Sequence, residues 1–383
     1  MKSDRKIIYL AEFLFSLPVA LAIYINSSFI SSFVGIKFVG IIYTLGSLSS
    51  IGALLIAPKI LKRVGGYKFL LSVVFLDALS FGALSLVKNA WLVVIVFVLG
   101  FCLNTLLIFS LDELLKIFSK DKDTGKIRGI YIMISNLAFV LAQLATGTIL
   151  GSFDFRSIYL LGFMIMLIFF LVSFFTLKKI PDPNYDKKNI LKYVKEFFKN
   201  KNLLRAYFIS FLIQFFYCWM IIYTPIYLFT HFGFSWKEIG IIFSVMLLPF
   251  LFVPFGVGAY ADKIGERKIL IFGFIVTAFF TFLIFFTKEH TIFVWAFLLF
   301  ITRIGAATVE TMSDAYFFKH IKPENEEFVS VYRSAEPIAY IIGPLVAFLL
   351  FIFIPTFNFI YLILGVFMLY GVYLSSTIRK SDI

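Results

Sequence analysis

Long apolar runs separated by short polar breaks repeat along the whole chain. Each run covers about 20 residues or more, enough for a helix to cross roughly 30 Å of hydrocarbon. A backbone in lipid must satisfy its own hydrogen bonds, so these runs predict helices, whereas barrel strands would alternate in segments of about 10 residues. The predicted spans lie near 7–33, 38–61, 69–87, 90–117, 129–151, 157–177, 204–230, 238–260, 269–287, 291–318, 328–353 and 356–377.

The first apolar run follows a basic start, which is also the pattern of a signal peptide. A signal peptide would have a shorter apolar core and would end at a small-residue cleavage site. This sequence has a longer core and no such site. We therefore interpret the run as the first of twelve transmembrane helices in an all-α integral membrane protein.

The chain repeats itself at an offset of 200 residues. The segment 40–42 reads Gly-Ile-Ile, as does 240–242, and further identities follow in the next polar break. These further pairs are Gly65 with Gly265, Lys68 with Lys268, and Leu70 with Leu270. Such a repeat predicts two pseudo-symmetric six-helix bundles, 1–177 and 204–383, joined by a linker over 178–203.

The linker has its own pattern. Pro181 and Pro183 end the sixth predicted helix, because proline cannot continue one. Apolar residues over 186–201 then recur at helical spacing with a basic opposite face. This pattern predicts an amphipathic helix lying on the anionic cytoplasmic leaflet, either as a simple tether or as a regulatory site.

Composition and charge agree with a membrane protein. The chain is 61% hydrophobic and 15% charged, with a mean hydropathy of +0.97. Of its 35 Lys and Arg residues, two lie within spans and nearly all others fall on the side that holds both termini and the linker. The exceptions on the opposite side are Lys37, Lys88, Arg156, Lys237 and Lys288. This asymmetry predicts cytoplasmic termini in a cell membrane, and it explains the net charge of +13 without nucleic-acid binding.

The sequence offers no pattern for catalysis. Cys102 and Cys218 lie inside spans, and His231, His290 and His320 lie at span ends without the spacing of metal ligands. A glycine-rich phosphate loop and a nucleophile elbow are not found. We therefore expect no metal, no cofactor and no enzymatic activity.

Twelve spans in two copies, cytoplasmic termini and a charged turn between the eighth and ninth spans resemble the major facilitator superfamily of secondary transporters. The turn carries Gly258, Asp262, Lys263, Gly265, Arg267 and Lys268. The resemblance implies that Gly258, Asp262, Gly265, Arg267 and Lys268 form a conformational switch, with close helix packing at the glycines and a charge network elsewhere.

The chain departs from the family pattern in several places. In the first copy Pro58 and Lys62 stand at the leading Gly and Asp positions, and in the second copy Glu266 replaces a usual basic residue. The fourth span lacks the Arg-x-x-x-Gly motif, although Arg303 and Gly305 form a loosely similar pair in the tenth. These departures weaken any assignment to the multidrug exporters.

Ionisable residues within spans are the candidates for function, because an unpaired charge in a membrane is expensive. Arg303, Glu310 and Asp314 lie in the tenth span at steps of seven and four, which places them on one helix face. Arg333 and Glu336 lie near the start of the eleventh span, at the same depth in the membrane as Glu310 and Asp314. The cluster of Asp314, Arg333 and Glu336 fits structural ion pairing at least as well as proton coupling.

Other buried polar residues extend this set. Asp77 lies in the third span and Glu12 near the start of the first. In the first copy, Asp112, Glu113 and Arg128 form a similar set of charged residues nearer the membrane surface. In the family the tenth helix lines the central cavity, so Arg303 is expected to contact the solute or its counter-charge, with Asp77 as a competing partner. Asn104, Gln214 and Tyr217 are candidate neighbours in that cavity, or else hydrogen-bond partners between helices.

These patterns favour a monomeric secondary transporter in the lipid bilayer that moves a small organic solute by alternating access. No ATP-binding module is found, so we expect coupling to protons, with Glu310 as the first candidate carrier and Glu336 as the second. A transporter-like receptor or scaffold that has lost transport is the alternative. A lipid-modifying intramembrane enzyme is a third possible class of function, but it would need a set of catalytic residues, and the sequence shows none.

Overall fold

A computed structural model of the chain describes residues 2–118, 124–179, 190–321, 327–354 and 356–378, and within these ranges all regular structure is helical. In chain order the helices are α1 (Lys2–Ile23), α2 (Asn26–Val34), α3 (Ile36–Val64), α4 (Gly66–Leu86), α5 (Ala90–Phe118), α6 (Thr124–Leu150), α7 (Phe155–Thr176), α8 (Ile190–Lys199), α9 (Lys201–Thr230), α10 (Trp236–Leu247), α11 (Pro249–Ile264), α12 (Glu266–Phe286), α13 (Ile292–Lys319), α14 (Glu327–Arg333), α15 (Ala335–Phe353) and α16 (Phe359–Ser376).

Twelve segments of the described chain are long and apolar enough to cross a membrane. They confirm the twelve predicted spans, with one difference in kind. Three of the apolar runs, predicted as continuous helices, are each divided into two helices: α1 and α2, α10 and α11, and α14 and α15.

Prolines follow two of these breaks, and a hydrogen bond between helices lies beside the first. Asn26 follows the first break and accepts a hydrogen bond of 2.7 Å from the Tyr159 hydroxyl of α7. Pro249 follows the second break, and a residue without a backbone N–H begins a helix more readily than it continues one. The third break lies at Ser334, and Pro337 then occupies the first turn of α15, where its missing N–H is not needed.

The chain forms two compact units. The first contains 1–186 together with Ser235–Ser244, and the second contains 187–234 and 245–383. The boundary at 186 falls within the predicted linker. The segment Ser235–Ser244 packs with the first unit because Gly240 and Gly147 allow two backbones to meet: a Cβ at Gly240 would lie 2.6 Å from the Gln143 carbonyl oxygen.

The repeat is visible in the backbone. Gly65 and Gly265 precede α4 and α12 with nearly identical dihedral angles, φ 84° and ψ 152° for the first and φ 83° and ψ 146° for the second. A side chain at this positive φ would be strained, so glycine is required at both turns. The matched glycines at the 200-residue offset therefore mark the same structural turn in the two units.

In the second unit, α13 is held tightly against α12. A Cβ at Gly305 would lie 2.5 Å from the Thr277 hydroxyl oxygen and 2.7 Å from the Gly273 carbonyl oxygen. The two helices meet at backbone distance because neither glycine has a side chain. This contact fixes α13, which carries Arg303, Glu310 and Asp314.

The linker helix α8 lies within the segment predicted as an amphipathic helix, and one of its apolar residues packs on protein. Its apolar residue Phe197 is fully buried by protein, within 6.3 Å or less, centroid to centroid, of the rings of Tyr207, Phe317 and Phe328. These rings belong to α9, α13 and α14. At Phe197 the helix therefore packs on the second unit, while the neighbouring Phe198 is 39% exposed. The predicted contact with the leaflet stays a prediction.

Candidate functional site

Arg303 is the most unusual charged residue of the second unit. Its side chain is only 1% exposed on α13, and the guanidinium Nε and Nη2 have no hydrogen-bond partner among the described residues. The guanidinium carbon lies 5.4 Å from the ring centroid of Phe216 and 5.1 Å from that of Tyr217. These two rings of α9 attract the cation through their faces, but a ring face offers no oxygen that could accept a hydrogen bond from the guanidinium N–H groups.

Tyr217 links Arg303 to Glu310. Its ring faces the guanidinium, and its hydroxyl donates a hydrogen bond of 3.0 Å to Glu310 Oε2. Arg303 and Glu310 are seven residues apart on α13, about two turns, so both meet the same residue of α9. The structure thus joins a buried cation, an aromatic hydroxyl and a carboxylate in one cluster, which we call the Arg303 cluster.

Asp314 and Arg333 form a separate ion pair. Arg333 Nη2 lies 2.9 Å from Asp314 Oδ2, and the Tyr332 hydroxyl lies 2.9 Å from Asp314 Oδ1. Tyr332 also stacks on Phe317 with ring centroids 4.0 Å apart and shares a hydrogen bond of 2.8 Å with Ser313. This packing ties α14 to α13, as expected of a structural pair.

The remaining predicted residues lie in several places. Glu336 is exposed in the first turn of α15. Gln214 is half-buried on α9, one turn before Tyr217, and Asn104 is half-buried on α5 in the first unit. Asp77 on α4 is 1% exposed; its Oδ1 accepts from the Ser80 hydroxyl at 3.1 Å, and its Oδ2 has no partner among the described residues.

The predicted switch motif spans the end of α11 and the start of α12. Gly258 and Asp262 belong to α11, but their side-chain surroundings lie outside the described part of the structure. Gly265 makes the turn, and after it Arg267 is half-buried and Lys268 exposed.

Glu266, which departs from the family pattern, has a clear structural role. It is buried at the start of α12 and forms an ion pair with Lys319 at the end of α13. Sequence reasoning missed this pair. The available signal was Lys319 at the end of the tenth span, which the fold brings beside the turn before α12.

Metal binding has no visible basis in this region. Among the described residues, no group of three or more His, Cys, Asp or Glu side chains is arranged to hold a metal ion.

Comparison with known proteins identifies a family. The family model described as Major Facilitator Superfamily matches residues 7–253 and 220–381. No match was found among curated proteins.

Solved structures resemble the fold over nearly the whole chain. A bacterial homologue of the human lysosomal transporter Spinster, in an inward-facing and unoccupied conformation, has a TM-score of 0.74 and 13% identity, covering 98% of this chain and 94% of its own. The nucleoside transporter NupG has a TM-score of 0.77 and 11% identity, covering 97% and 98%. At these identities the likeness establishes the fold alone.

Proposed function

The chain belongs to the major facilitator superfamily, and on that premise we propose that it is a secondary transporter that moves a small organic solute across the membrane by alternating access. Twelve candidate spans and two compact units fit the rocking mechanism of such transporters. The observation that carries the proposal is the buried, incompletely paired guanidinium of Arg303.

Arg303 is proposed to bind the solute. Arginine stays protonated in proteins, and a buried charge without a hydrogen-bonded partner is costly. A carboxylate, a phosphate or several hydroxyls on the solute would supply the acceptors that Nε and Nη2 lack, in the forked geometry that arginine favours. Gln214 and Asn104 are proposed as further polar contacts.

This proposal can be tested by a binding screen on the purified chain. Thermal-shift measurements would compare small carboxylates, phosphates and polyols with cationic drugs, and we expect hits in the first three classes. Arg303→Ala should weaken binding of a hit by about 10- to 100-fold, because a charge-assisted hydrogen bond contributes roughly 1.5–3 kcal/mol. Arg205→Ala is the matched control, since Arg205 on α9 bonds Asn202 instead. Full-strength binding by Arg303→Ala would refute the contact.

Proton coupling is proposed to use the same cluster, with Glu310 as first carrier and Glu336 as second. As a carboxylate, Glu310 accepts the Tyr217 hydroxyl hydrogen bond. A proton on Glu310 removes its negative charge and so weakens the hydrogen bond that it accepts from the Tyr217 hydroxyl. Tyr217, which also faces Arg303, would then be able to turn toward a solute. Protonation and solute binding would thereby be linked through one aromatic side chain.

The charged turn is proposed to govern switching between conformations. Asp262→Asn removes the negative pole of the network formed with Arg267 and Lys268, so it should shift the inward/outward balance more than it lowers solute affinity. Spin labels on the two units would report that balance. An unchanged distribution of label distances and an unchanged transport rate would mean that these residues are ordinary loop charges.

We also propose a cell-membrane location with both termini in the cytoplasm. In a background without the native cysteines, a cysteine at 184 or 382 should be shielded from an impermeant thiol reagent in intact cells. A cysteine at Glu289 should react. The reverse labelling pattern would overturn this orientation.

A further inference from the structure

The guanidinium of Arg303 has one edge that no side chain of the described residues completes. Its Nε and Nη2 are both buried, and both lack a hydrogen-bond partner. In a planar guanidinium, Nε–H and one N–H of Nη2 point to the same side and converge on a single acceptor, as in side-on pairing with a carboxylate. The two nitrogens therefore form one binding feature, which we call the Arg303 fork.

The fork lacks a balancing charge as well as an acceptor. No carboxylate of the described residues forms an ion pair with Arg303. The rings of Phe216 and Tyr217 cover the cation, and they carry no negative charge that could neutralise it. A water molecule would accept hydrogen bonds from the fork but would leave the buried positive charge unpaired, which is costly. The ligand that completes the fork is therefore an anion.

Burial limits the kind of anion. The Arg303 side chain is 1% exposed, and the guanidinium carbon lies 5.4 and 5.1 Å from the two ring centroids of α9. An organic anion needs space for its carbon body beside the fork, whereas a monatomic anion needs only the fork. A single negative charge balances arginine, while a divalent oxyanion such as sulfate would leave one negative charge buried and unpaired. Chloride meets both conditions.

Glu310 would repel an anion at the fork, but more weakly than Arg303 attracts it. The two residues are seven positions apart on α13, about 10 Å along the helix axis, and Glu310 Oε2 already accepts from the Tyr217 hydroxyl. An ion in direct contact with the guanidinium gains more from the near charge than it loses to the distant one, because Coulomb energy falls with distance.

We propose that the Arg303 fork holds a chloride ion when no solute is bound, and that an anionic solute displaces this ion. The chloride accepts hydrogen bonds from Nε–H and Nη2–H and neutralises the guanidinium. Solute binding then exchanges one anion for another, so the charge of Arg303 stays paired in both states. The displacement step rests on the proposed solute contact at Arg303, whereas chloride binding is measured without any solute.

The test is chloride binding by the purified full-length chain in a nonionic detergent. The probe is sodium chloride, and the readout is broadening of the chlorine NMR line, which reports ions that exchange on and off the protein. We expect a saturable component in wild type, above the non-saturable broadening that exposed basic side chains give. Wild type without a saturable component would overturn the proposal, whatever the variants do.

Variants assign the saturable component to the fork. Arg303→Lys keeps the positive charge but removes the fork, so chloride binding should weaken by about tenfold or more, and Arg303→Gln should abolish it. Arg205→Gln is the matched control, because Arg205 bonds Asn202, and it should leave the Kd for chloride unchanged. Size-exclusion profiles identify any variant that fails to fold. A saturable component of equal strength in a folded Arg303 variant would refute the site.

Displacement is measured in wild type, so it does not depend on the folding of any variant. An anionic hit from the binding screen should remove the saturable chlorine broadening, and added chloride should raise the apparent Kd of that hit. Saturable chloride binding that the hit leaves intact would place the ion away from the fork and refute the proposal.

The chloride proposal and the proposed solute contact fail separately. If chloride does not bind while an anionic solute still requires Arg303, the solute contact stands and the chloride site is refuted. If chloride binds through Arg303 and no organic solute does, the anion site stands and the proposed solute contact is refuted.

Discussion

Two arginines in the second unit have opposite environments. Arg333 is about half exposed and faces Asp314, whereas Arg303 is buried against aromatic rings and has two guanidinium nitrogens without acceptors. Sequence reasoning selected both because a charge in an apolar span is rare. It could not assign their roles, because hydrogen-bond partners come from other helices. The structure supports a stabilising ion pair for Arg333, and it shows two guanidinium nitrogens of Arg303 without an acceptor among the described residues, which is the basis for proposing a solute contact there.

The Asp314 and Arg333 pair should act locally. In a double-mutant cycle with Asp314→Asn and Arg333→Gln, we expect a coupling of about 0.5–1 kcal/mol in the free energy of unfolding, because both side chains are partly exposed. Unfolding in mixed detergent micelles measures it. The control cycle of Arg333→Gln with Glu289→Gln, just before the opposite end of α13, should give coupling near zero. Equal coupling in both cycles would show that the pair of Asp314 and Arg333 adds no specific stability.

At the scale of helices, what the sequence reveals depends on the range of the interaction. Length and hydropathy are properties of a single segment, and all twelve spans were predicted from them. The breaks near Asn26, Pro249 and Ser334 depend on individual residues, and a hydropathy pattern, which averages over a whole segment, does not register them. For α8 an amphipathic pattern shows that one face is apolar, but it does not identify what covers that face, because lipid and a protein surface both satisfy it.

The docking of α8 gives a paired prediction. Phe197→Ala should destabilise the second unit by about 3 kcal/mol, as expected for a fully buried ring. Phe198→Ala, at a neighbouring ring that is 39% exposed, should cost less than about 1 kcal/mol. Thermal unfolding in detergent compares the two. If both variants lost little stability in detergent but both were destabilised in lipid vesicles, α8 would lie on lipid, as its amphipathic pattern predicts.

For the whole molecule, the internal repeat was the most informative sequence feature. The 200-residue offset predicted two related halves, and the glycine turns before α4 and α12 have nearly identical backbone angles. The halves have nevertheless diverged in chemistry: the second unit holds the buried cation Arg303, while the first holds the buried acids Glu12 and Asp77. Such differences cannot be read from the repeat, because they depend on which side chains meet between helices.

We propose that this chain couples solute movement to a proton gradient through the Arg303 cluster. The most direct measurement is flux of a solute identified by the binding screen, in proteoliposomes with an imposed pH gradient and no ATP. The account predicts accumulation above the equilibrium level in wild type, loss of flux in Arg303→Ala, and flux that no longer responds to the gradient in Glu310→Gln, with Glu336→Gln as the comparison. Wild-type flux indifferent to the gradient would contradict coupling, and full gradient-driven flux in Glu310→Gln would exclude Glu310 as the proton carrier.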